Sequence, residues 1–178
     1  MKKKICILYS SHDGHTQKIS EFLNEKLIEL QADTEIHSIH GYKGSLKDFN
    51  TVVIGANIRY GKHHPVVIEY INSNQAELEK IKSAFFSVNL VARKKEKNRP
   101  DTNPYFIKFM DSIDWKPDLT EVIAGRLDYK AYTFFDRLMI KLIMKITKGP
   151  TKTDEPIEYT DWNKVTDLAE RINQMNKT

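Results

Sequence analysis

The chain predicts an α/β fold: a doubly wound, five-stranded parallel sheet with helices on both faces. Three observations carry that prediction. Short apolar runs alternate with amphipathic helical patterns along the 178 residues, as parallel strands joined by crossover helices require. The apolar run Ile5-Cys-Ile-Leu8 leads through the loop Tyr9-Ser-Ser-His-Asp-Gly-His-Thr16 into a helical pattern. Finally, Gly14, Gly55, Gly61 and Gly125 fall at or just beyond the carboxyl ends of the expected strands, the edge at which open α/β sheets bind ligands.

The expected strands are Lys4–Tyr9, Thr34–Ser38, Thr51–Ala56, Ala84–Val91 and Glu121–Ala124. Between the first two, Ile19, Phe22, Leu23, Leu27 and Leu30 repeat at helical spacing and mark one buried face. Pro65 suits the first position of a second helix through Val66, Val67, Tyr70 and Ile71. Asn103 and Pro104 open a third, with Tyr105, Phe106, Phe109 and Met110. Thr160 or Asp161 caps the last, whose apolar face is Val165, Leu168, Ala169 and Ile172. The length fits one domain, residues 1–178.

One segment departs from simple alternation. Arg126–Pro156 is an insertion after the fifth strand, and within it Ala131–Lys148 has helical periodicity. Phe134, Phe135, Leu138, Met139, Leu142, Ile143 and Ile146 make an apolar face, with Arg137, Lys141, Lys145 and Lys148 expected opposite. Such a basic amphipathic helix either lies in a membrane interface or packs on its own domain. The sheet does not need it for completion, which favours an anionic membrane surface or a quinone as its partner.

Composition narrows the function. The chain is 40% hydrophobic and 29% charged with a net charge of +4, ordinary for a globular protein. Met1-Lys-Lys-Lys4 precedes too short an apolar run for a signal peptide. No stretch reaches the length of a membrane span, so the expected location is cytoplasmic. Cys6 is alone and sits in an apolar strand, a poor setting for a thiolate. The basic run Arg93-Lys-Lys-Glu-Lys-Asn-Arg99 lacks interleaved aromatics, so nucleic acid is not an expected partner. A nucleophile in a G-x-S-x-G turn is also missing, which argues against hydrolysis.

The first loop has the chemistry of a phosphate cradle. Hydroxyls at Ser10, Ser11 and Thr16 accompany His12, Asp13, Gly14 and His15 at a helix N-terminus. Freed backbone N–H groups and the helix dipole favour an anion there. The loop is neither G-x-x-x-x-G-K-[ST] nor G-x-G-x-x-G, which excludes a P-loop and an ordinary dinucleotide fingerprint. His12, His15, His63 and His64 share the expected ligand edge. Their spacing, without cysteines nearby, reads as polar loop positions or caps rather than a metal site.

Ile7, Leu8, Tyr9, Ser11, Gly14 and Thr16, followed by Ser20 and Leu23, match the pattern of flavodoxin-type FMN proteins. Only Ser20 departs, standing where that pattern has alanine. Val53-Ile-Gly-Ala-Asn-Ile-Arg-Tyr-Gly61, Ala84-Phe-Phe-Ser-Val-Asn-Leu-Val-Ala-Arg93, Phe135-Asp-Arg-Leu-Met-Ile-Lys-Leu-Ile-Met-Lys145 and Tyr159-Thr-Asp-Trp162 extend the likeness. Together they resemble the bacterial menaquinone-dependent protoporphyrinogen IX dehydrogenases, a flavodoxin-like family.

The resemblance implies a flavodoxin-like oxidoreductase of haem biosynthesis with one non-covalent FMN. It would oxidise protoporphyrinogen IX and pass electrons to menaquinone or another membrane quinone, working peripherally on the inner face of the cell membrane. Ser10–Thr16 would hold the FMN phosphate. Asn57, Ile58, Arg59, Tyr60 and Gly61, with Ser87, Val88, Asn89, Leu90, Val91, Ala92 and Arg93, would flank the isoalloxazine ring. Tyr60, or else Tyr129, would stack on that ring, and Arg59 and Arg93 would meet the substrate's propionates. No catalytic residue is assigned. A flavodoxin-like electron carrier and an NAD(P)H:quinone reductase share the fold, and a membrane-associated binding module would use the same basic helix. The chain's basic balance disfavours a carrier, which commonly presents an acidic face.

Overall fold

A computed structural model describes residues 4–152 and 155–178. Residues 1–3, part of the basic start, and residues 153 and 154 of the insertion lie outside the described residues. In chain order the elements are β1 (Lys4–Ser10), α1 (His15–Glu29), β2 (Asp33–Ser38), β3 (Thr51–Arg59), β4 (Lys62–His63), α2 (Pro65–Leu78) and β5 (Lys82–Asn89). Then follow α3 (Pro104–Asp111), β6 (Leu119–Ala124), β7 (Arg126–Leu127), α4 (Phe134–Ile146), β8 (Ile157–Glu158) and α5 (Trp162–Lys177).

The five long strands pair in parallel in the order β2-β1-β3-β5-β6. The chain steps from β1 to β2 on one side and then crosses back past β1 to β3 on the other, so the winding reverses and the switch point lies at the carboxyl ends of β1 and β3. Side chains alternate across the sheet. Cys6, Leu8, Val52, Ile54, Phe85 and Val122 join Val67, Ile71, Phe106, Phe109 and Trp115 in one core cluster. Ile5, Ile7, Val53, Ala84, Phe86 and Ile123 pack with Ile19, Leu23, Leu27, Val165, Leu168 and Ile172 in the other. Strands buried on both faces explain the nearly unbroken apolar runs. Burial pushes the Cys6 thiol up to about 11, which leaves it inert. Helix α5 is tied to the sheet by Glu121, which is 7% exposed and pairs with Lys164 at 2.9 Å and Arg171 at 3.0 Å.

Several boundaries differ from expectation for local reasons. Strand β3 continues to Arg59 because a two-residue hairpin returns it antiparallel into β4. Tyr60 (φ 51°) and Gly61 (φ 76°) form its turn, both with the positive φ that such hairpins need. Strand β5 ends at Asn89, not Val91. The Asn89 side chain accepts from the Ala92 N–H at 3.0 Å and turns Leu90–Arg93 into a 3-10 helix. Gly55 lies inside β3 and not at the ligand edge. A Cβ there would sit 2.1 Å from Cζ of Phe86, so this glycine makes room for core packing. Asp161, not Thr160, caps α5 through the N–H groups of Asn163 and Lys164. The insertion helix is shorter than Ala131–Lys148, because Thr133 caps it by accepting from the Asp136 N–H at 3.3 Å.

The insertion returns to the domain. Strands β7 and β8 pair antiparallel beyond the end of β6. Leu127, Tyr129 and Met144 form a small core with Leu90, Tyr132, Ile140, Ile157 and Tyr159 around them. Tyr129 belongs to this core and donates its hydroxyl proton to the Pro150 carbonyl at 2.7 Å, so it is not a ring-stacking residue at the ligand edge.

Candidate functional site

The carboxyl edge of the sheet opens into a cavity of about 420 Å³. Its floor is the loop after β1, one wall is the β3–β4 hairpin, and another is Val88–Val91. The insertion supplies the far side.

Helix α1 starts at His15, with Gly14 at φ 82° as an N-cap that has no side chain to bond, so only the His15 N–H is taken, by Asp13 at 3.3 Å. That left-handed position is strained for any residue with a Cβ. The first-turn N–H groups of an uncapped helix lack intrahelical partners. Around them, the hydroxyl oxygens of Ser11 and Thr16 are buried and have no hydrogen-bond partner. Burying two such hydroxyls costs about 1–3 kcal/mol each unless something accepts their protons. A phosphomonoester would meet both and lie on the helix dipole, so the cradle fits that group. Ser10 is drawn away: it is 2% exposed and its hydroxyl pairs with Nε2 of His40 at 3.3 Å.

The four edge histidines have separate roles. His12 contacts the Arg59 guanidinium. His64 accepts from the Val66 N–H at 3.2 Å and caps α2. His63 is not at the edge surface. It lies between Phe85 and Phe109, donates from Nδ1 to the Asn57 carbonyl at 3.1 Å, and burial pushes its pKa down to about 4. His15 pairs with Thr160 at 2.7 Å. Among the described residues, no cluster of metal-ligating side chains forms.

Of the remaining positions, Asn57, Ile58, Arg59, Tyr60 and Gly61 line the cavity, as do Val88, Asn89, Leu90 and Val91. Ser87 and Ala92 do not; both are buried. Arg93 is also diverted. Its guanidinium donates to the carbonyls of Leu90 (2.9 Å) and Thr147 (3.2 Å) and to the Thr147 hydroxyl (2.8 Å). It therefore holds the C-terminus of α4, where carbonyls need donors and a cation suits the dipole, and is not free to receive a propionate.

Asp136 closes the cavity across its mouth. It is 5% exposed and accepts from Arg59, from the Tyr60 hydroxyl and from the Thr133 hydroxyl, the last at 2.6 Å. These bonds, the Arg59 contribution first, hold its carboxyl well below the usual carboxylate range. The β3–β4 hairpin and the first turn of α4 are thus latched together. Gly125, expected at the ligand edge, does line the cavity, whereas sequence reasoning missed Asp136, Tyr105, Arg126, Ala131, Tyr132, Thr133 and Ile140, which also line it.

The insertion helix turns its apolar side outward. Phe134 and Phe135 are each 75% exposed and Ile146 is 72% exposed, with Leu138, Met139 and Leu142 beside them. Ile143, expected on that face, lines the cavity instead. The cations flank this face and do not oppose it. Arg137 donates to the Tyr132 carbonyl at 3.4 Å and Lys141 lies 5.9 Å from the Tyr129 ring. No helix among the described residues is long and apolar enough to cross a membrane.

Comparison with known proteins matches this geometry. Residues 6–154 match the Flavodoxin domain family. The chain is 43% identical to protoporphyrinogen IX dehydrogenase (quinone) of Escherichia coli strain K12, over 95% of this chain and 94% of that protein. It is 42% identical to the protein of the same name from Leishmania major, over 93% of this chain and 73% of that one. A solved archaeal flavodoxin superposes with a TM-score of 0.56 at 15% identity, covering 98% of this chain and 99% of that one. Oxidised Flavodoxin 1 from Bacillus cereus superposes with a TM-score of 0.56 at 12% identity, covering 97% and 98%. The two structural likenesses concern the fold alone.

Proposed function

The chain belongs to the flavodoxin domain family and within it to the protoporphyrinogen IX dehydrogenases, membership that implies a flavin, and we propose that it oxidises protoporphyrinogen IX with FMN and a membrane quinone. The observation that carries the cofactor assignment is the pair of unpartnered hydroxyls, Ser11 and Thr16, at the uncapped start of α1 beside a cavity of about 420 Å³. When bound, FMN supplies the two-electron carrier between the substrate and the quinone.

The protein's own part is binding, orientation and exclusion of water. Ser11, Thr16 and the first-turn N–H groups hold the phosphate. The hairpin residues Asn57–Gly61 and the segment Val88–Val91 line the space for the ring system. Tyr60 lines the cavity with its hydroxyl on Asp136 and would be the aromatic that covers a bound flavin ring. Of the two arginines expected to meet propionates, Arg59 lines the cavity, and its bond to Asp136 would be exchanged for a substrate carboxylate. Helix α4 shields the cavity with Ile140 and Ile143.

The outward face of α4 is the membrane contact. A lipid-dissolved quinone is reached at a bilayer, and an apolar patch flanked by Arg137, Lys141 and Lys145 is complementary to an anionic lipid surface. FMN-loaded protein supplied with protoporphyrinogen IX under anaerobic conditions should generate porphyrin fluorescence only when a menaquinone analogue is added in catalytic excess. Porphyrin that never forms, with NAD(P)H reducing the quinone instead, would replace this reading by the reductase.

A further inference from the structure

His15 is buried, 5% exposed, and lines the cavity as the first residue of α1. One ring nitrogen is committed. The Thr160 hydroxyl sits 2.8 Å from the Ala124 carbonyl, to which it gives its own proton. It can therefore only accept from His15 Nε2, at 2.7 Å. This relay fixes the Nε2–H tautomer and leaves Nδ1 as a bare lone pair, buried and without a partner. A neutral imidazole so arranged offers an acceptor to the cradle, whereas a phosphate dianion needs donors.

The surrounding charges are paired off. Lys18, one turn along α1, is 3.0 Å from Glu158 of β8. Arg126 of β7 is 2.6 Å from Asp128, and Arg59 is paired with Asp136. Asp13 accepts from the His15 N–H at 3.3 Å and adds negative charge to the same loop. The indole of Trp162 on α5 covers the ring edge, its centroid 6.4 Å away. Thus Asp13 and Glu158 favour a charged imidazole, Lys18 and Arg126 oppose it, and burial, the largest influence, lowers the His15 pKa in the free protein. A dianion entering the cradle would add the strongest nearby argument for charge.

We propose that His15 takes up one proton at Nδ1 when the FMN phosphate enters the cradle, so that cofactor binding is coupled to protonation of the protein. The proton comes from a buffer acid in solvent, whose own bond to hydrogen breaks and whose conjugate base stays in solution, and the resulting imidazolium donates from Nδ1–H to a phosphate oxygen. The inference rests on the FMN reading above and specifies what that site discriminates: phosphomonoester dianion against uncharged analogues. Riboflavin, lacking the phosphate, draws no proton.

Calorimetric titrations of the apoprotein with FMN and with riboflavin, in two buffers of different ionisation enthalpy at pH 8, read the proton count directly. The FMN phosphate, with a second pKa near 6, is fully a dianion there. Wild type should take up close to one proton per FMN and none per riboflavin. Its FMN affinity should fall by up to about tenfold per pH unit between pH 7.5 and 9. His15→Gln should bind FMN with no uptake and a flat pH profile, riboflavin binding showing that the variant folds. FMN binding by wild type without proton uptake, or the same uptake in His15→Gln, overturns the inference while leaving the cofactor assignment intact. Failure of wild type to bind either flavin would remove the cofactor assignment itself, and this inference with it.

Discussion

Replacing Phe134 and Phe135 together by serine tests the outward face of α4. Each ring is 75% exposed. A phenylalanine presents on the order of 200 Å² of apolar surface, so about 150 Å² per ring is available to leave water. Complete transfer of both at about 25 cal/mol per Å² would be worth roughly 7 kcal/mol. An interfacial helix sinks only partly, and half that area gives about 3.5 kcal/mol, a change of roughly 300-fold in partitioning. Neither ring lines the cavity, so FMN affinity should be unchanged and serves as the check on folding. The assay is cosedimentation with vesicles containing anionic lipid, at low and high salt. Wild type should bind, more weakly as salt rises, and the double variant should stay in the supernatant. A double variant that sediments like wild type would refute the assignment of this face to the bilayer.

Other consequences follow from single residues. Thr16→Val should weaken FMN binding by about 10–100-fold, the worth of one hydrogen bond to a charged group, and leave riboflavin binding unaltered in a fluorescence-quenching titration. Asp136→Asn removes the charge on which Arg59 and Tyr60 converge, so amide exchange in the first turn of α4 should accelerate at neutral pH. Because the folded Asp136 pKa is depressed, wild-type protection is present above the unfolded value near 3.9 and is lost only as pH falls below it. Wild type should therefore keep slow exchange at pH 5. His63 acts with the same sign in a higher pH window. With a folded pKa of about 4 and an unfolded value near 6.5, the unfolded chain binds the extra proton between them. Stability should fall by about 3 kcal/mol from pH 7.5 to pH 4 on this account, and His63→Gln should flatten that part of the urea-midpoint profile.

The strands and the phosphate loop were legible because their signals are local. Alternating apolar runs, Pro65 and Pro104 at helix starts, and Ser11, Gly14 and Thr16 at their spacing need no knowledge of what lies across the fold. The rest depends on tertiary neighbours. The periodicity of α4 shows an apolar stripe but not which stripe docks. What turns the helix is Asp136, a single acid in a basic segment, meeting Arg59 and Tyr60 from a hairpin 76 or 77 residues away. The same holds for Arg93, whose partner Thr147 lies 54 residues on, and for Gly55, whose purpose is the Phe86 ring on the neighbouring strand. Sequence proximity to a ligand loop made both look functional. Tyr105 and Arg126 reach the cavity by topology, without a motif. His63 and His64 are adjacent in sequence, yet one is buried among rings and the other caps a helix, a distinction set by the turn at Tyr60 and Gly61.

The central claim is that this chain carries electrons from a porphyrinogen to a quinone through FMN at the sheet edge. The most direct test mixes FMN-loaded protein with protoporphyrinogen IX anaerobically, follows flavin absorbance, and then adds a menaquinone analogue in vesicles. The account predicts bleaching of the flavin on mixing, then recovery of the oxidised spectrum with appearance of porphyrin fluorescence once the quinone is added. A flavin spectrum that stays oxidised while the porphyrinogen persists would contradict it.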